Sequence, residues 1–230
     1  MSAGPIAVAP GRVGVLGGTF DPIHVGHLAI AEAAREALGL ERVLFVPAGL
    51  PPHRAIAPIA SPADRAAMVA LAIADNAAFD LSRIELDRDG PSYTADTVER
   101  IAAEGLRAGR VPDVRFILSA EAFAAFPSWN EPARVLAACR LVVLPREGHP
   151  PPDLEAFEAA LPGFGGRVTV LDGPGIRLSA TEIRARIGRG LSVRYLVPEA
   201  VRAYIAERRL YRPAMDEADP PDSDGGPDAT

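Results

Sequence analysis

Short apolar runs recur along the chain and alternate with longer segments in which apolar and polar residues are mixed. Most of the runs are rich in valine, leucine and isoleucine with few polar positions, which is typical of strands buried on both faces of a parallel sheet. They predict strands at residues 13–16, 43–46, around 79–86, 114–118, 141–144 and 168–171.

The mixed segments have the spacing of amphipathic helices. Gly39 directly follows the first of them, and glycine is the preferred residue just beyond a helix C-terminus. Ser61 and Pro62 precede another, as an N-cap and a proline at the first helical position. The predicted helices span residues 27–38, 63–76, 94–104, 154–161, 180–187 and 199–209. The alternation predicts an α/β fold: a doubly wound, mostly parallel sheet with helices on both faces.

The formal net charge of −6 arises in one segment at the end of the chain. Residues 213–230 contain six acidic and no basic side chains, whereas residues 1–212 contain 24 of each sign. A segment so rich in proline, glycine and aspartate cannot bury enough apolar surface to fold. We therefore predict one folded domain at 1–212, helical in its C-terminal part from about 176 to 212, and an acidic disordered tail at 213–230. We predict no nucleic-acid partner.

Several features predict a cytoplasmic protein. No apolar run reaches the roughly 18 residues that a membrane span needs, and the first residues lack the pattern of a signal peptide. The single cysteine, Cys139, lies in an apolar run, which indicates a buried, unreactive thiol and no disulfide framework. The sequence leaves open whether the chain forms a homo-oligomer.

The segment GGTFDPIHVGH, residues 17–27, directly follows the first predicted strand. In a doubly wound sheet, ligands bind outside the carboxyl ends of the strands, at the switch point beside the first strand. Gly17 and Gly18 let a phosphate or ribose approach the backbone, and the start of the next helix favours an anion. The segment therefore predicts a phosphate site. Neither a G-x-G-x-x-G fingerprint nor an HExxH motif is present, and a chain without lysine cannot form a Walker loop.

His24 and His27 have three possible roles at this helix start. They could cap and pack, bind a metal, or donate hydrogen bonds to a charged transition state. Metal binding lacks partners, because only His53 and His149 remain and no second cysteine exists, so we predict no metal site. The donor role fits best, since a spacing of three places both rings on one helix face, across the small Gly26.

A second segment, IRLSATEIR at residues 176–184, combines hydroxyl groups with arginine at a predicted helix start. Such a helix start could receive a triphosphate, although an ordinary capped helix would also explain it. The two segments resemble the signatures of the HxGH nucleotidyltransferase superfamily, which implies a Rossmann-like nucleotidyltransferase fold. The resemblance implies catalytic roles for His24, His27 and Thr19. It implies ATP contacts at Gly17, Gly18, Phe20, Gly26, Ser119, Glu121, Arg146, Ser179, Ala180, Thr181 and Arg184.

Three further segments are similar to the bacterial nicotinate-nucleotide adenylyltransferase branch: PPHR at 51–54, PSYTADT at 91–97 and FPSW at 126–129. The resemblance implies that the pyridine nucleotide is bound by Pro52, His53, Arg54, Tyr93, Thr94 and Trp129. It implies an indole stacked on the pyridine ring, although Trp129 could instead be a wedge between helices. The free N–H groups near Thr94 could receive the nicotinate carboxylate.

The branch implies transfer of AMP from ATP, with Mg²⁺, to nicotinate mononucleotide, giving nicotinate adenine dinucleotide and pyrophosphate in NAD biosynthesis. The alternatives are a sister adenylyltransferase that uses nicotinamide mononucleotide or another phosphate acceptor, and a non-catalytic nucleotide-binding protein on the same fold. One departure supports the last of these: Ser119 and Glu121 stand where the family usually has Gly and Asp. The intact His24, His27, Thr181 and Arg184 argue against it.

Overall fold

A computed structural model describes residues 11–49, 58–107, 113–145 and 150–212. Six parallel strands form one sheet in the order β3-β2-β1-β4-β5-β6. The strands are β1 Arg12–Gly18, β2 Arg42–Pro47, β3 Phe79–Leu81, β4 Asp113–Ser119, β5 Arg140–Leu144 and β6 Val168–Val170. The predicted doubly wound α/β fold is confirmed, and all the strand pairs in this sheet are parallel.

The helices alternate with the strands along the chain. They are α1 Val25–Leu38, α2 Pro62–Ile73, α3 Thr94–Arg107, α4 Ala120–Ala125, α5 Pro132–Ala138, α6 Leu154–Ala160, α7 Ala180–Gly188 and α8 Glu199–Glu207. Short 3₁₀ turns occupy Phe126–Ser128 and Gly165–Arg167. All six predicted helices are present. None of the helices in the parts of the chain described here is long and apolar enough to cross a membrane.

Besides shifts of up to three residues at the ends of other elements, the structure differs from the sequence prediction at two places. The third strand was predicted to extend to about residue 86, but it ends at Leu81, after which Asp87 N–H donates to the carbonyl of Arg83 in a turn. The alternating apolar and polar residues that predict a longer strand belong to this partly buried turn. Helices α4 and α5 were not predicted, because six or seven residues are too few to display helical periodicity.

Both faces of the sheet are buried, which explains the continuous apolar runs. Val13 and Val15 of β1 pack with α3, α4 and α5 on one face, whereas Leu16 belongs to the core formed with α1, α2, α7 and α8. Cys139 is buried in the first of these cores, and burial raises the pKa of its thiol to about 12. The thiol therefore stays protonated at neutral pH, in agreement with the predicted unreactive cysteine.

The strand order places the switch point between β1 and β4. Strand β1 pairs with β2 on one side and with β4 on the other, with Leu16 opposite Ile117. Helix α1 packs on one face of the sheet and α3 on the other, so the chain leaves β1 and approaches β4 on opposite sides. The segments that follow β1 and β4 therefore meet at one edge of the sheet, where doubly wound folds bind ligands.

Candidate active site

His24 and His27 lie together at the start of α1, just beyond the carboxyl end of β1. Their rings are stacked, with centroids 3.7 Å apart and planes 21° from parallel. His24 is the N-cap residue and is buried, whereas His27 is half-buried. The backbone N–H of His24 donates to Nδ1 of His27 over 3.2 Å. A neutral His27 ring therefore carries its proton on Nε2, which makes that nitrogen a hydrogen-bond donor.

Gly26 allows this arrangement because it has no side chain. A Cβ atom at position 26 would lie 3.1 Å from Nδ1 of His24, closer than ordinary van der Waals contact. The His24 ring therefore lies directly against the glycine backbone. Of the last two residues of β1, Gly17 is exposed and Gly18 is half-buried, and Thr19, which follows them, is also half-buried.

The Phe20 ring packs against the His27 ring. Its ring is buried and meets the His27 ring edge to face, with centroids 5.0 Å apart, and it also contacts Phe45. Its backbone has a φ of 51°, a left-handed conformation that non-glycine residues adopt mainly where the surrounding structure enforces it. The resemblance implies an ATP contact at Phe20, and the structure places its ring within the core, packed against His27.

The second sequence motif meets the first through Arg184. One guanidinium nitrogen, Nη1, donates to the carbonyl of Asp21 over 2.6 Å, although the two residues are 163 positions apart. The other, Nη2, donates to Oγ1 of Thr181 over 3.2 Å. Ser179 is the N-cap of α7 and accepts the N–H of Glu182 at 3.1 Å. The structure thus brings Arg184, Thr181 and the start of α7, including Ala180, beside the loop between β1 and α1.

Two charged residues that the sequence interpretation did not include hold this loop in place. Asp21 is buried, and its carboxylate accepts the backbone N–H groups of Ile59 and Ala60 at 2.9 and 3.1 Å. Arg65 of α2 is only 1% exposed, and its Nη1 donates to the carbonyl of Thr19 over 2.9 Å. Arginine is rarely so deeply buried unless it is paired, so this contact marks Arg65 as part of the site's support.

Ser119 and Glu121, the two departures from the family pattern, follow β4 at the same edge of the sheet. Ser119 caps α4, since its Oγ accepts the N–H of Ala122 at 3.3 Å. Its φ of −75° requires no glycine, so serine fits this position without strain. Glu121 lies in the first turn of α4 and lines a groove of about 480 Å³, which also includes Phe123, Asp153 and Phe157.

We expect Glu121→Ala to raise the KM of one substrate while the fold is kept, and Glu121→Asp to be less active than the wild type. The local turn is built around Ser119, so the longer glutamate should suit it, and a misplacement of about 1 Å can cost a hundredfold in rate. Steady-state kinetics with each substrate varied would measure this, with the exposed Glu155 of α6 changed to alanine as a control. An aspartate variant that is faster than the wild type would refute the compensation, and an unchanged alanine variant would remove Glu121 from the site.

Trp129 follows the 3₁₀ turn after α4 and is half-buried. Its indole contacts Phe126, with ring centroids 5.2 Å apart, and meets Phe116 edge to face at 6.2 Å. Both neighbours belong to the core, so one part of the indole is anchored while another part stays accessible. This position is compatible with either role that the sequence leaves open, a wedge or a stacking surface.

The segment around Tyr93 and Thr94 is tied to the loop after β2 by a carboxylate. Glu85 accepts a hydrogen bond from Oγ1 of Thr97 at 2.8 Å and another from the backbone N–H of Gly49 at 3.3 Å. Burial raises the pKa of Glu85, with these hydrogen bonds opposing the shift. A Cβ at position 49 would lie 2.5 Å from the carbonyl oxygen of Glu85, so the loop approaches this segment as closely as glycine allows. The first turn of α3, which includes Thr97, is therefore tied to Gly49, just beyond the end of β2.

Four residues implied by the resemblance lie outside the described residues. They are Pro52, His53, Arg54 and Arg146. The acidic segment 213–230 also lies outside them.

The parallel sheet, the switch point and the paired histidines, with Arg184 bonded to the same loop, are typical of the nucleotidyltransferase class of α/β proteins. In agreement, a model of the Cytidylyltransferase-like family matches residues 15–186. A probable nicotinate-nucleotide adenylyltransferase of Roseiflexus sp. (strain RS-1) is 45% identical over 200 residues, which cover 87% of this chain and 98% of the relative. One from Moorella thermoacetica is 41% identical over 212 residues, covering 92% and 96%.

The fold is also that of a solved structure, Plasmodium falciparum nicotinic acid mononucleotide adenylyltransferase complexed with NaAD. The TM-score is 0.67 at 15% sequence identity, over 87% of this chain and 97% of the other. The extent and identity of the matches to the curated relatives decide the family: the chain belongs to the nicotinate-nucleotide adenylyltransferases.

Proposed function

We propose that the protein transfers AMP from MgATP to nicotinate mononucleotide, forming nicotinate adenine dinucleotide and pyrophosphate in NAD biosynthesis. The observation that carries this proposal is the stacked His24–His27 pair at the switch point, with Arg184 held against the same loop. The names of relatives that are up to 45% identical over nearly their whole length support the choice of acceptor.

The reaction needs positioning and charge stabilisation more than a base. The second pKa of the acceptor phosphate is near ~6, so the phosphate is largely dianionic at pH 7. One of its oxygens attacks the α-phosphorus of ATP in line, and the bond from that phosphorus to the bridging oxygen breaks. His24 and His27 would donate to the α-phosphate oxygens and to the bridging oxygen as charge develops there. Gly17 and Gly18 would allow the phosphate to approach the backbone closely, and Thr19 would contribute to binding the α-phosphate at the same place.

Arg184 and the start of α7 would bind the rest of the triphosphate. A guanidinium has five N–H donors, and two of its nitrogens each make one contact to the protein, so donors remain for phosphate oxygens. Ser179, Ala180 and Thr181 bring the N–H groups and dipole of the first turn of α7 to the same place. We assign the binding of the adenosine part of ATP to Gly26, Ser119, Glu121 and Arg146.

The acceptor would lie between the start of α3 and Trp129. Helix α3 spans 14 residues from Thr94, and its N-terminus favours a carboxylate over a neutral amide. We assign the pyridine ring to the accessible part of the Trp129 indole, with further contacts from Tyr93 and from Pro52, His53 and Arg54, which follow β2 in the sequence. The hydrogen bonds from Gly49 and Thr97 to Glu85 would hold the end of β2 in a fixed position relative to α3.

We propose that Mg²⁺ enters with ATP, held by phosphate oxygens and water, which is how this ion commonly binds. Among the residues that the structure describes, no three His, Cys, Asp or Glu side chains are grouped so as to hold a metal ion.

The function requires only small-molecule substrates, and we place it in the cytoplasm without a nucleic-acid or membrane partner. It is compatible with a monomer or a homo-oligomer.

We expect kcat/KM for nicotinate mononucleotide to exceed that for nicotinamide mononucleotide by about tenfold or more, since a carboxylate at a helix N-terminus can gain up to ~2 kcal/mol. Pyrophosphate release with MgATP and each acceptor would measure it, and a reaction without acceptor gives the background. Equal rates would overturn the choice of acceptor in favour of a sister adenylyltransferase. No pyrophosphate with either acceptor would favour the non-catalytic alternative.

A further inference from the structure

Two tyrosines in the C-terminal part of the chain donate hydrogen bonds to two buried aspartates. Tyr211 Oη donates to Oδ1 of Asp21, and Tyr204 Oη donates to Oδ1 of Asp64, both over 2.8 Å. The pairs are alike in chemistry, distance and burial of the carboxylate. They differ in their other partners: Asp21 contacts Arg184, whereas Asp64 pairs with Arg208 and accepts the Ser61 hydroxyl.

Hydrogen bonds hold the Asp21 carboxylate close to the Arg184 guanidinium but beyond hydrogen-bond distance. It accepts the N–H groups of Ile59 and Ala60 as well as the Tyr211 hydroxyl, and its Oδ2 remains 3.9 Å from Nη1 of Arg184. Several fixed donors restrict a buried carboxylate to one orientation. Without the tyrosine hydroxyl, Oδ1 would lose one donor, and the carboxylate could turn towards the guanidinium and pair with it directly.

We propose that Tyr211 is a positioning residue for ATP: by holding the Asp21 carboxylate, it keeps the Arg184 guanidinium oriented towards the triphosphate. This inference rests on the proposed role of Arg184 in binding ATP. It assigns to the C-terminal turn, 27 positions beyond Arg184 in the chain, a part in substrate affinity.

Two properties of Tyr211 fit this role. Its backbone has a φ of 63°, a left-handed conformation that persists where surrounding contacts enforce it, and its hydroxyl contacts both Asp21 and Met68. Burial and the neighbouring Asp21 carboxylate raise the pKa of Tyr211. The hydroxyl therefore keeps its proton at the pH of any ordinary assay and remains a donor to Asp21.

The test compares Tyr211→Phe with Tyr204→Phe, because each variant removes one hydroxyl from a matched pair. Equilibrium titration with MgATP alone should show the Kd raised about tenfold in Tyr211→Phe. This change corresponds to the low end of the free energy that a hydrogen bond to a charged group contributes. Tyr204→Phe should lose similar stability in thermal unfolding but keep the wild-type Kd for MgATP. The KM of the acceptor should be unchanged in both variants.

A second step tests whether the effect passes through Arg184. In an Arg184→Ala background, Tyr211→Phe should not weaken MgATP binding further, whereas a general structural effect would persist. If Tyr211→Phe does not fold, Asp21→Asn offers the other side of the same hydrogen bond and should also raise the Kd for MgATP.

An unchanged Kd in Tyr211→Phe, an equal loss in Tyr204→Phe, or a full additional loss in the Arg184→Ala background would each overturn the inference. The proposed function fails by a different result. Wild-type protein that binds MgATP but releases no pyrophosphate with any acceptor would refute the function, while the titration would still decide the role of Tyr211.

Discussion

His24→Ala and His27→Ala are each expected to lower kcat by about 10²–10³, the usual cost of losing one preorganised donor to a charged transition state. The two rings are stacked at 3.7 Å at the switch point, so both can face the same phosphate. Pyrophosphate release at saturating MgATP and nicotinate mononucleotide would measure kcat, and thermal unfolding would show that each variant is folded. Turnover close to wild type in a folded variant would reduce that histidine to a packing role.

A further variant separates hydrogen-bond donation from packing at this site. His27→Phe can keep the ring stack with His24 and the edge contact with Phe20, but it has no N–H group to donate. Its kcat should fall as far as that of His27→Ala, and a kcat near wild type would contradict the donor role. The double alanine variant should lose less than the product of the single losses, because residues that act as a unit are not additive.

The fold could be predicted because a parallel sheet with both faces buried leaves continuous apolar runs in the sequence. The sequence prediction was wrong where a strand or helix is too short for the periodicity of its apolar residues to show. Strand β3 has three residues and α4 has six, so local hydrogen bonds and tertiary packing decide these elements. The tryptophan segment lies between α4 and α5, where Pro127 and Pro132 stand at the starts of a 3₁₀ turn and of α5, positions that favour proline.

The parts of the site that lie within one short segment could also be proposed from the sequence. The histidine pair depends on a spacing of three and on Gly26, both visible in eleven residues. The contact between Arg184 and Asp21 joins residues 163 positions apart, and no local pattern specifies such a pairing. For Arg65 a signal did exist: it shares a helical stripe with Met68, Val69 and Ala72, all of them buried, so its position alone indicates an arginine inside the core.

We expect Arg65→Met to lower the free energy of unfolding by about 2–4 kcal/mol, because removing one partner of a buried charged hydrogen bond leaves the other unsatisfied. Methionine keeps an apolar stem of similar length, so the loss would come mainly from the guanidinium and its contact to the Thr19 carbonyl. The loop between β1 and α1 should relax, and kcat should fall with it. Urea unfolding and pyrophosphate release would measure the two effects. Arg83→Met, which removes an exposed pair with Asp87, should cost less than about 1 kcal/mol.

The cost of Arg65→Met should also depend on pH. Burial raises the pKa of Glu85, and the nearby Arg65 charge opposes that shift, so the variant should raise this pKa further. A carboxyl whose folded-state pKa lies above its unfolded value stabilises the fold at low pH and loses that contribution as the pH rises through the folded value. The variant should therefore lose more stability relative to wild type at pH 8 than near the ordinary glutamate value of 4.5. A loss that is the same at both pH values would show that Arg65 is not coupled to Glu85. A loss no larger than that of Arg83→Met would show that Arg65 does not support the loop between β1 and α1.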